Sequence, residues 1–191
     1  MIFKIIGFIA KILRIKKKHK HVWVTLLKKP SLKCALCGRV LLYEVLQRCI
    51  VCGSTRIHYE VANRYQILFD EVKGTSLDNL KAKLIYLCQD CYEKLKIKID
   101  KLKRELSQYI RVTPIYNSKK PTEVIFTDIK TLIKWIVKYI DYISEPTEDA
   151  IIIDNRLIHG IGFYAKGKIP SDSLYKVLVP YSEIIKEMKK S

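Results

Sequence analysis

The sequence predicts an α+β protein: a β-rich module organised around paired cysteines, a long helix that follows it, and a small α/β unit at the C-terminal end. Three observations carry that expectation. All six cysteines fall in Cys-x-x-Cys pairs, Cys34 with Cys37, Cys49 with Cys52 and Cys88 with Cys91. Short segments rich in Val, Leu, Ile and Tyr surround the first two pairs. Apolar residues at helical spacing follow the third.

Taken in order, residues 1–21 read as an amphipathic helix and a basic arm. Lys4, Gly7, Lys11, Arg14 and Lys18 recur every three or four positions, one stripe on an otherwise apolar helical surface. A membrane-spanning helix needs about 20 apolar residues, and Lys4, Lys11 and Arg14 interrupt this one. Residues 1–15 are therefore expected to pack against the protein's own core or a protein partner, or to lie on an anionic membrane. Lys16, Lys17, Lys18 and Lys20, interleaved with His19 and His21, form an arm suited to phosphate contact.

Residues 22–116 are expected to form the cysteine module and its helix. Val22 to Leu27, Arg39 to Val45 and Ile57 to Val61 read as strands, and Tyr65 to Val72 as a further hairpin strand leaving through Lys73, Gly74 and Thr75. Gly38 and Gly53, each directly after a cysteine pair, permit the positive φ that closes a metal-binding turn. Tyr92, Leu95, Ile99, Leu102, Leu106 and Tyr109 then repeat at three and four. That stripe is long enough to meet a helix of the same chain or, across residues 92–110, of a second copy in a homodimer. Lys94, Lys98, Lys101 and Arg104 lie off the stripe and are candidate nucleic-acid contacts.

Residues 117–191 are expected to form the smaller unit after a linker from Asn117 to Pro121. Asp128 begins a helix whose apolar positions are Ile129, Leu132, Ile133, Ile136, Ile140 and Ile143, with Lys130, Lys134 and Lys138 aligned at spacing four. Ala150 to Ile153 and Leu157 to Tyr164 read as strands joined at Asp154 and Asn155, and Ser182 is expected to cap a last short helix.

The cysteine spacing implies zinc. Neighbours two residues apart seldom form structural disulfides, whereas a tetrahedral ion draws two converging thiolates from one tight turn. Cys34, Cys37, Cys49, Cys52, Cys88 and Cys91 are thus all candidate ligands. Four ligands close a structural site, so three pairings compete. Cys34, Cys37, Cys49 and Cys52 make a zinc ribbon. Cys49, Cys52, Cys88 and Cys91 make a treble clef, with a knuckle set against the first turn of a helix. Cys34 and Cys37 can replace the knuckle of that second plan. His19 and His21 can complete a second site with a leftover pair, although their lysine-rich setting favours a solvated role. With no cleavable signal peptide evident and thiols held free for metal, a reducing cytosol is the expected compartment, with membrane association through residues 1–15 as the variant.

The segment from Arg48 to Lys96 resembles the zinc-bearing branch of the HNH endonuclease family, a treble-clef group. The likeness rests on Arg48-Cys49-Ile50-Val51-Cys52-Gly53-Ser54, Tyr59-Glu60-Val61, Ser76-Leu77-Asp78-Asn79-Leu80 and Leu87-Cys88-Gln89-Asp90-Cys91. Members place a metal-binding residue and a general-base histidine directly after the Glu-Val step, where this chain has Ala62 and Asn63. They also carry histidines where Tyr92 and Lys96 stand. The resemblance therefore implies a zinc-held fold without the nuclease chemistry, since no side chain at those places holds a hydrolytic metal or deprotonates water. His58 is the one nearby imidazole.

Charge directs the functional reading. Lys and Arg number 36 against 19 Asp and Glu, a formal net charge of +17, more than solubility requires and of the sign that concentrates polyanions. The abundance of Ile, Lys and Tyr resembles the proteome style of a thermophilic archaeon or its viruses. Trp23, Tyr43 and Tyr65, close to basic residues such as Arg64, offer rings for base stacking, although a core role explains them as well. Gly160 and Gly162 sit in an expected strand with no phosphate-cradling helix after them, and Glu145, Glu148, Asp149 and Asp154 read as a surface turn. The expectation is a zinc-containing protein that binds nucleic acid, DNA ahead of RNA. Its rivals are an HNH-like endonuclease with an altered site and a membrane-associated adaptor.

Overall fold

A computed structural model describes residues 20–74, 80–109, 111–113, 115, 120–168 and 173–190. The expectations for the amphipathic helix, for Lys16, Lys17 and Lys18, for Ser76 to Asn79 and for most of the linker fall outside these residues. The fold is α+β, with eleven strands and three helices among the described residues. It divides into two compact units, one comprising the described residues up to Ser31 with Leu42–Val61, the other Leu32–Leu41 with Ala62–Ser191.

The first unit is built from β1 (Trp23–Lys33), β2 (Val40–Cys49) and β3 (Thr55–Val61), a three-stranded sheet in that order. β2 and β3 are antiparallel, from Leu42 opposite Val61 to Arg48 opposite Thr55. Because side chains alternate along a strand, Tyr43, Val45 and Gln47 share a face with Arg56, His58 and Glu60. Ile57, Tyr59 and Val61 point the other way and are exposed.

The second unit contains β4 (Tyr65–Lys73), β5 (Lys81–Cys88), α1 (Gln89–Tyr109), β6 (Arg111–Val112), β7 (Thr122–Ile125), α2 (Ile129–Tyr139), β8 (Ile140–Ile143), β9 (Thr147–Ile153), β10 (Arg156–Gly167), β11 (Leu174–Pro180) and α3 (Tyr181–Lys190). Its sheet runs β5-β4-β10-β11-β7, with β8 and β9 also on β10 and β6 on β8. β10 is the spine: Arg156 to Ile158 pair with β4, and Gly160 to Lys166 pair with β11. Asp154 and Asn155, at φ 49° and 58°, supply the left-handed turn between β9 and β10 that their residue types favour.

This sheet crosses the expected boundary near residue 117. β4 lies before that point and β10 after it, yet Lys73 is bonded opposite Arg156, so residues 62–116 and 117–191 share one core rather than forming separate modules. Leu95, Ile99, Leu102 and Leu106 of α1 pack with Leu132 and Ile136 of α2, Ile161, Phe163 and Ala165 of β10, Val177 and Val179 of β11, and Ile184 and Ile185 of α3. Each of these Leu, Ile, Val and Phe side chains contributes about 1.5–3 kcal/mol when fully buried. The apolar stripe of α1 is thereby covered within its own unit, except Tyr109 at its end, which is exposed.

Two helix boundaries differ from expectation. Asp128 caps α2 as predicted, accepting the N–H groups of Lys130 and Thr131, but the helix stops at Tyr139. Ile140 is extended, and Ile140 and Ile143 bury themselves as β8; a spacing of three fits a helical turn and also the two ends of a four-residue strand. Ser182 lies inside α3, whose N-terminus is satisfied instead by Asp70 of β4, which accepts the Ser182 N–H. No helix among the described residues is long and apolar enough to cross a membrane.

Candidate metal centres and a lysine-lined groove

Two cysteine loops share one backbone design. In the first, the Cys34 N–H bonds to the carbonyl of Arg39 at 2.8 Å and the Gly38 N–H to that of Cys34 at 3.0 Å. In the second, Cys49 and Ser54 repeat the former bond at 2.8 Å, and Gly53 and Cys49 the latter at 2.9 Å. Gly38 and Gly53 have φ of 74° and 75°, a conformation that strains any residue with a Cβ. Each loop turns two cysteines toward one point, and the local sequence Cys-x-x-Cys-Gly suffices to specify it.

The first loop is completed by the third cysteine pair. Cys88 ends β5 and Cys91 lies in the first turn of α1, which begins at Gln89. The Sγ atoms of Cys34, Cys37, Cys88 and Cys91 all lie within 4.8 Å of one another, with Cys37 and Cys88 3.7 Å apart. None of the six cysteines is in a disulfide. Cys34, Cys88 and Cys91 are buried and Cys37 is exposed. The pairing is thus the third of those considered, and neither the ribbon nor the grouping of Cys49 and Cys52 with Cys88 and Cys91 is formed. Connectivity follows from β4 and β5, which bring residue 88 back to the first loop, where the Ala35 N–H bonds the Tyr86 carbonyl at 2.8 Å.

The thiols of this cluster are shifted in opposite directions. Burial opposes ionisation of Cys34, yet the backbone amides of Cys37, Cys88 and Leu36 outweigh it and hold the thiol down at about 6; the Cys88 N–H lies 3.4 Å from Cys34 Sγ. Burial pushes the Cys88 and Cys91 thiols up, Cys91 strongly and with a further contribution from its sulfur neighbours. Sulfurs this close cannot all ionise unaided, and a divalent ion among them removes the conflict by deprotonating the thiols.

The remaining pair has a different companion. His21, Cys49 and Cys52 place ligand atoms within 4.8 Å of one another, with His21 Nδ1 3.5 Å from Cys52 Sγ. His21 is exposed and faces this loop. The sequence offered His21 as a ligand for a leftover pair, and the pair left over is Cys49 with Cys52. His58, the imidazole weighed as a base, is 3.2 Å from Glu60, which also binds Lys28. His58 belongs to neither thiol group.

Beside the four-cysteine cluster lies a groove of about 530 Å³, lined by Leu36, Cys37, Cys91, Lys94, Ile97, Lys98, Lys101, Met188 and Lys189. Three of the lysines expected to contact nucleic acid line one wall of it. Lys98 is paired with Glu187 at 3.1 Å and Lys101 lies 3.8 Å from Glu105, whereas among the described residues Lys94 and Lys189 have no ion-pair partner. Lys189, supplied by α3, was missed because nothing local ties the C-terminal helix to α1. Arg104 does not line the groove: its Nε donates to the carbonyl of Asp100 on its own helix at 3.3 Å. Lys20 is exposed ahead of β1. A second cavity, about 270 Å³, is lined by Glu148, Asp149, His159 and Tyr181 with apolar residues of β4. Glu148 and Asp149 accordingly belong to β9 rather than to a surface turn.

The chain matches no protein-family model, no curated protein and no solved structure.

Proposed function

We propose that this protein binds nucleic acid through the lysine groove of α1 and α3, and that a zinc ion held by Cys34, Cys37, Cys88 and Cys91 fixes the wall of that groove. Zinc suits the ligand set: four cysteine sulfurs within 4.8 Å of one another, a redox-inert ion, and ligands split between a tight loop and a helical first turn. The ligand order is that of the treble-clef plan, with β2 and β3 standing in sequence between the loop and the strands that lead to the helix.

The observation that carries the reading is the convergence of Lys94, Lys98, Lys101 and Lys189 on one groove next to the cluster, in a chain of net charge +17. Lysines on rigid helices contact phosphates without reading bases, so binding is expected to tolerate sequence. The HNH-like reading has less support, because Cys49 and Cys52 do not join Cys88 and Cys91 and Ala62, Asn63, Tyr92 and Lys96 offer no ligand or base of the required kind.

The test is equilibrium binding of the full chain to duplex DNA, single-stranded DNA and RNA across a salt series. Log K against log salt should be linear with a slope of about −0.9 per phosphate neutralised on duplex DNA. No detectable binding at low salt, or binding indifferent to salt, would refute the proposal. Cleavage of plasmid in the presence of Mg²⁺ or Mn²⁺ would replace it with the nuclease reading.

A further inference from the structure

We infer that His21, Cys49 and Cys52 form a second zinc site, more readily exchanged than the four-cysteine cluster, whose metal holds the His21 ring on Trp23 and so sets the Trp23 and Arg56 stack.

The ligands are brought together by backbone as well as by side chains. The Cys49 loop has the same two hydrogen bonds and the same glycine conformation as the Cys34 loop. The Ile50 N–H bonds the carbonyl of Val22 at 3.1 Å, so residues directly adjacent to Cys49 and to His21 are tied together. Cys52 Sγ donates to the Ser54 hydroxyl oxygen at 3.1 Å. Three ligands of nitrogen and sulfur type are the set that zinc accepts when water or another group takes the fourth position.

Exchange follows from access and charge. His21 and Cys52 are exposed and Cys49 is buried, whereas three of the four ligands of the other cluster are buried. Two thiolates and a neutral imidazole also bind a dication less strongly than four thiolates do.

Trp23 couples this site to the strand face. The rings of His21 and Trp23 stack with centroids 5.0 Å apart at 23°. The Arg56 guanidinium lies 4.2 Å from the Trp23 centroid. Gln47 Oε1 fixes Arg56 by accepting from Nε at 2.9 Å and Nη2 at 2.7 Å. A metal bond to His21 removes the ring's freedom to rotate about its own side-chain bonds, and Trp23 is the first group to register the change.

The experiment uses the full chain carrying Trp135→Phe, which leaves Trp23 as its remaining tryptophan. Zinc is counted by native mass spectrometry while a chelator is titrated and Trp23 emission is followed. Two zinc ions per chain are expected. One should leave at a chelator concentration at least about tenfold lower than the other, and Trp23 emission should change with that first loss. His21→Ala and Cys52→Ser, both at exposed positions, should each retain one zinc and show the emission of the partly stripped chain. Cys88→Ser should lose the other zinc and keep the Trp23 response, so that failure at one centre is distinguished from failure at the other. Retention of two ions in both His21→Ala and Cys52→Ser, or a first loss without change in Trp23, would overturn the inference.

Discussion

Asp70 Oδ1 accepts the backbone N–H of Ser182 at 3.0 Å, joining the middle of β4 to the first turn of α3 across 112 residues of sequence. Asp70 is 2% exposed, and its other oxygen meets Lys83 at 2.7 Å. A buried carboxylate at a helix N-terminus both satisfies an orphan donor and opposes the positive end of the helix dipole.

Asp70→Ala should therefore destabilise the protein by about 1–3 kcal/mol, the cost of leaving such a donor unpaired. Asp70→Asn, which keeps an acceptor, should cost less, as urea denaturation will measure. Asp70 also raises the Lys83 pKa, first through the hydrogen bond between them. A raised lysine stabilises fully below its ordinary value of 10.5 and loses that contribution as pH climbs through the folded value. The stability difference between wild type and Lys83→Ala should accordingly shrink in strong alkali.

Serine substitutions should rank by burial and cluster. Cys88→Ser, at the buried centre of the four-cysteine group, should unfold the second unit and abolish the near-ultraviolet signal of Trp135, which packs against Phe126 and Tyr175. Structural zinc in thiolate sites contributes folding free energy on the order of 10 kcal/mol, so chelation to completion should have the same effect. Cys49→Ser should leave that signal in place. Equal damage from the two substitutions would contradict the separation of the groups.

Replacing Lys94, Lys98 and Lys101 with Ala should lower the salt slope of nucleic-acid binding by roughly one for each phosphate no longer neutralised, without altering base preference. Helix α1 should persist, since alanine favours helix and none of the three belongs to the buried stripe. The same change at Lys130, Lys134 and Lys138 of α2, which do not line the groove, should leave the slope as it was. Reversed results would move the interface to α2.

Gly160→Ala should be among the most damaging single-methyl additions in the chain. A Cβ there would fall on the backbone carbonyl of Val179 in β11, and a strand backbone at the sheet centre cannot retreat. A cost of about 3 kcal/mol is expected from overpacking, visible as a lowered melting temperature.

Much of this molecule was legible locally. The loops at Cys34 and Cys49, the cap at Asp128, the turn at Asp154 and Asn155, and the buried face of α1 each depend on residues a few positions apart, and each is present where its residues predict. What depends on distant residues was not legible. The pairing of Cys34 with Cys88 requires β5, whose lysine-rich start at Lys81 and Lys83 hides its alternation. Asp70 showed only as an acidic residue in a strand. The helix expected through Ile143 failed at Ile140 because β8 buries the same isoleucines in a sheet.

The two halves of the four-cysteine cluster are separated in sequence by β2, β3, β4 and β5, with Cys37 and Cys88 standing 51 positions apart, and this imposes an order on biosynthesis. His21, Cys49, Cys52 and all three strands of the first unit have been translated by Val61. The first cysteine loop must then wait, its thiols without their partners, until the hairpin of β4 and β5 and the start of α1 have emerged. At about 5–20 residues per second that interval lasts a few seconds. During it the nascent chain carries Cys34 and Cys37 as open thiols, with only two of the four cluster ligands in place.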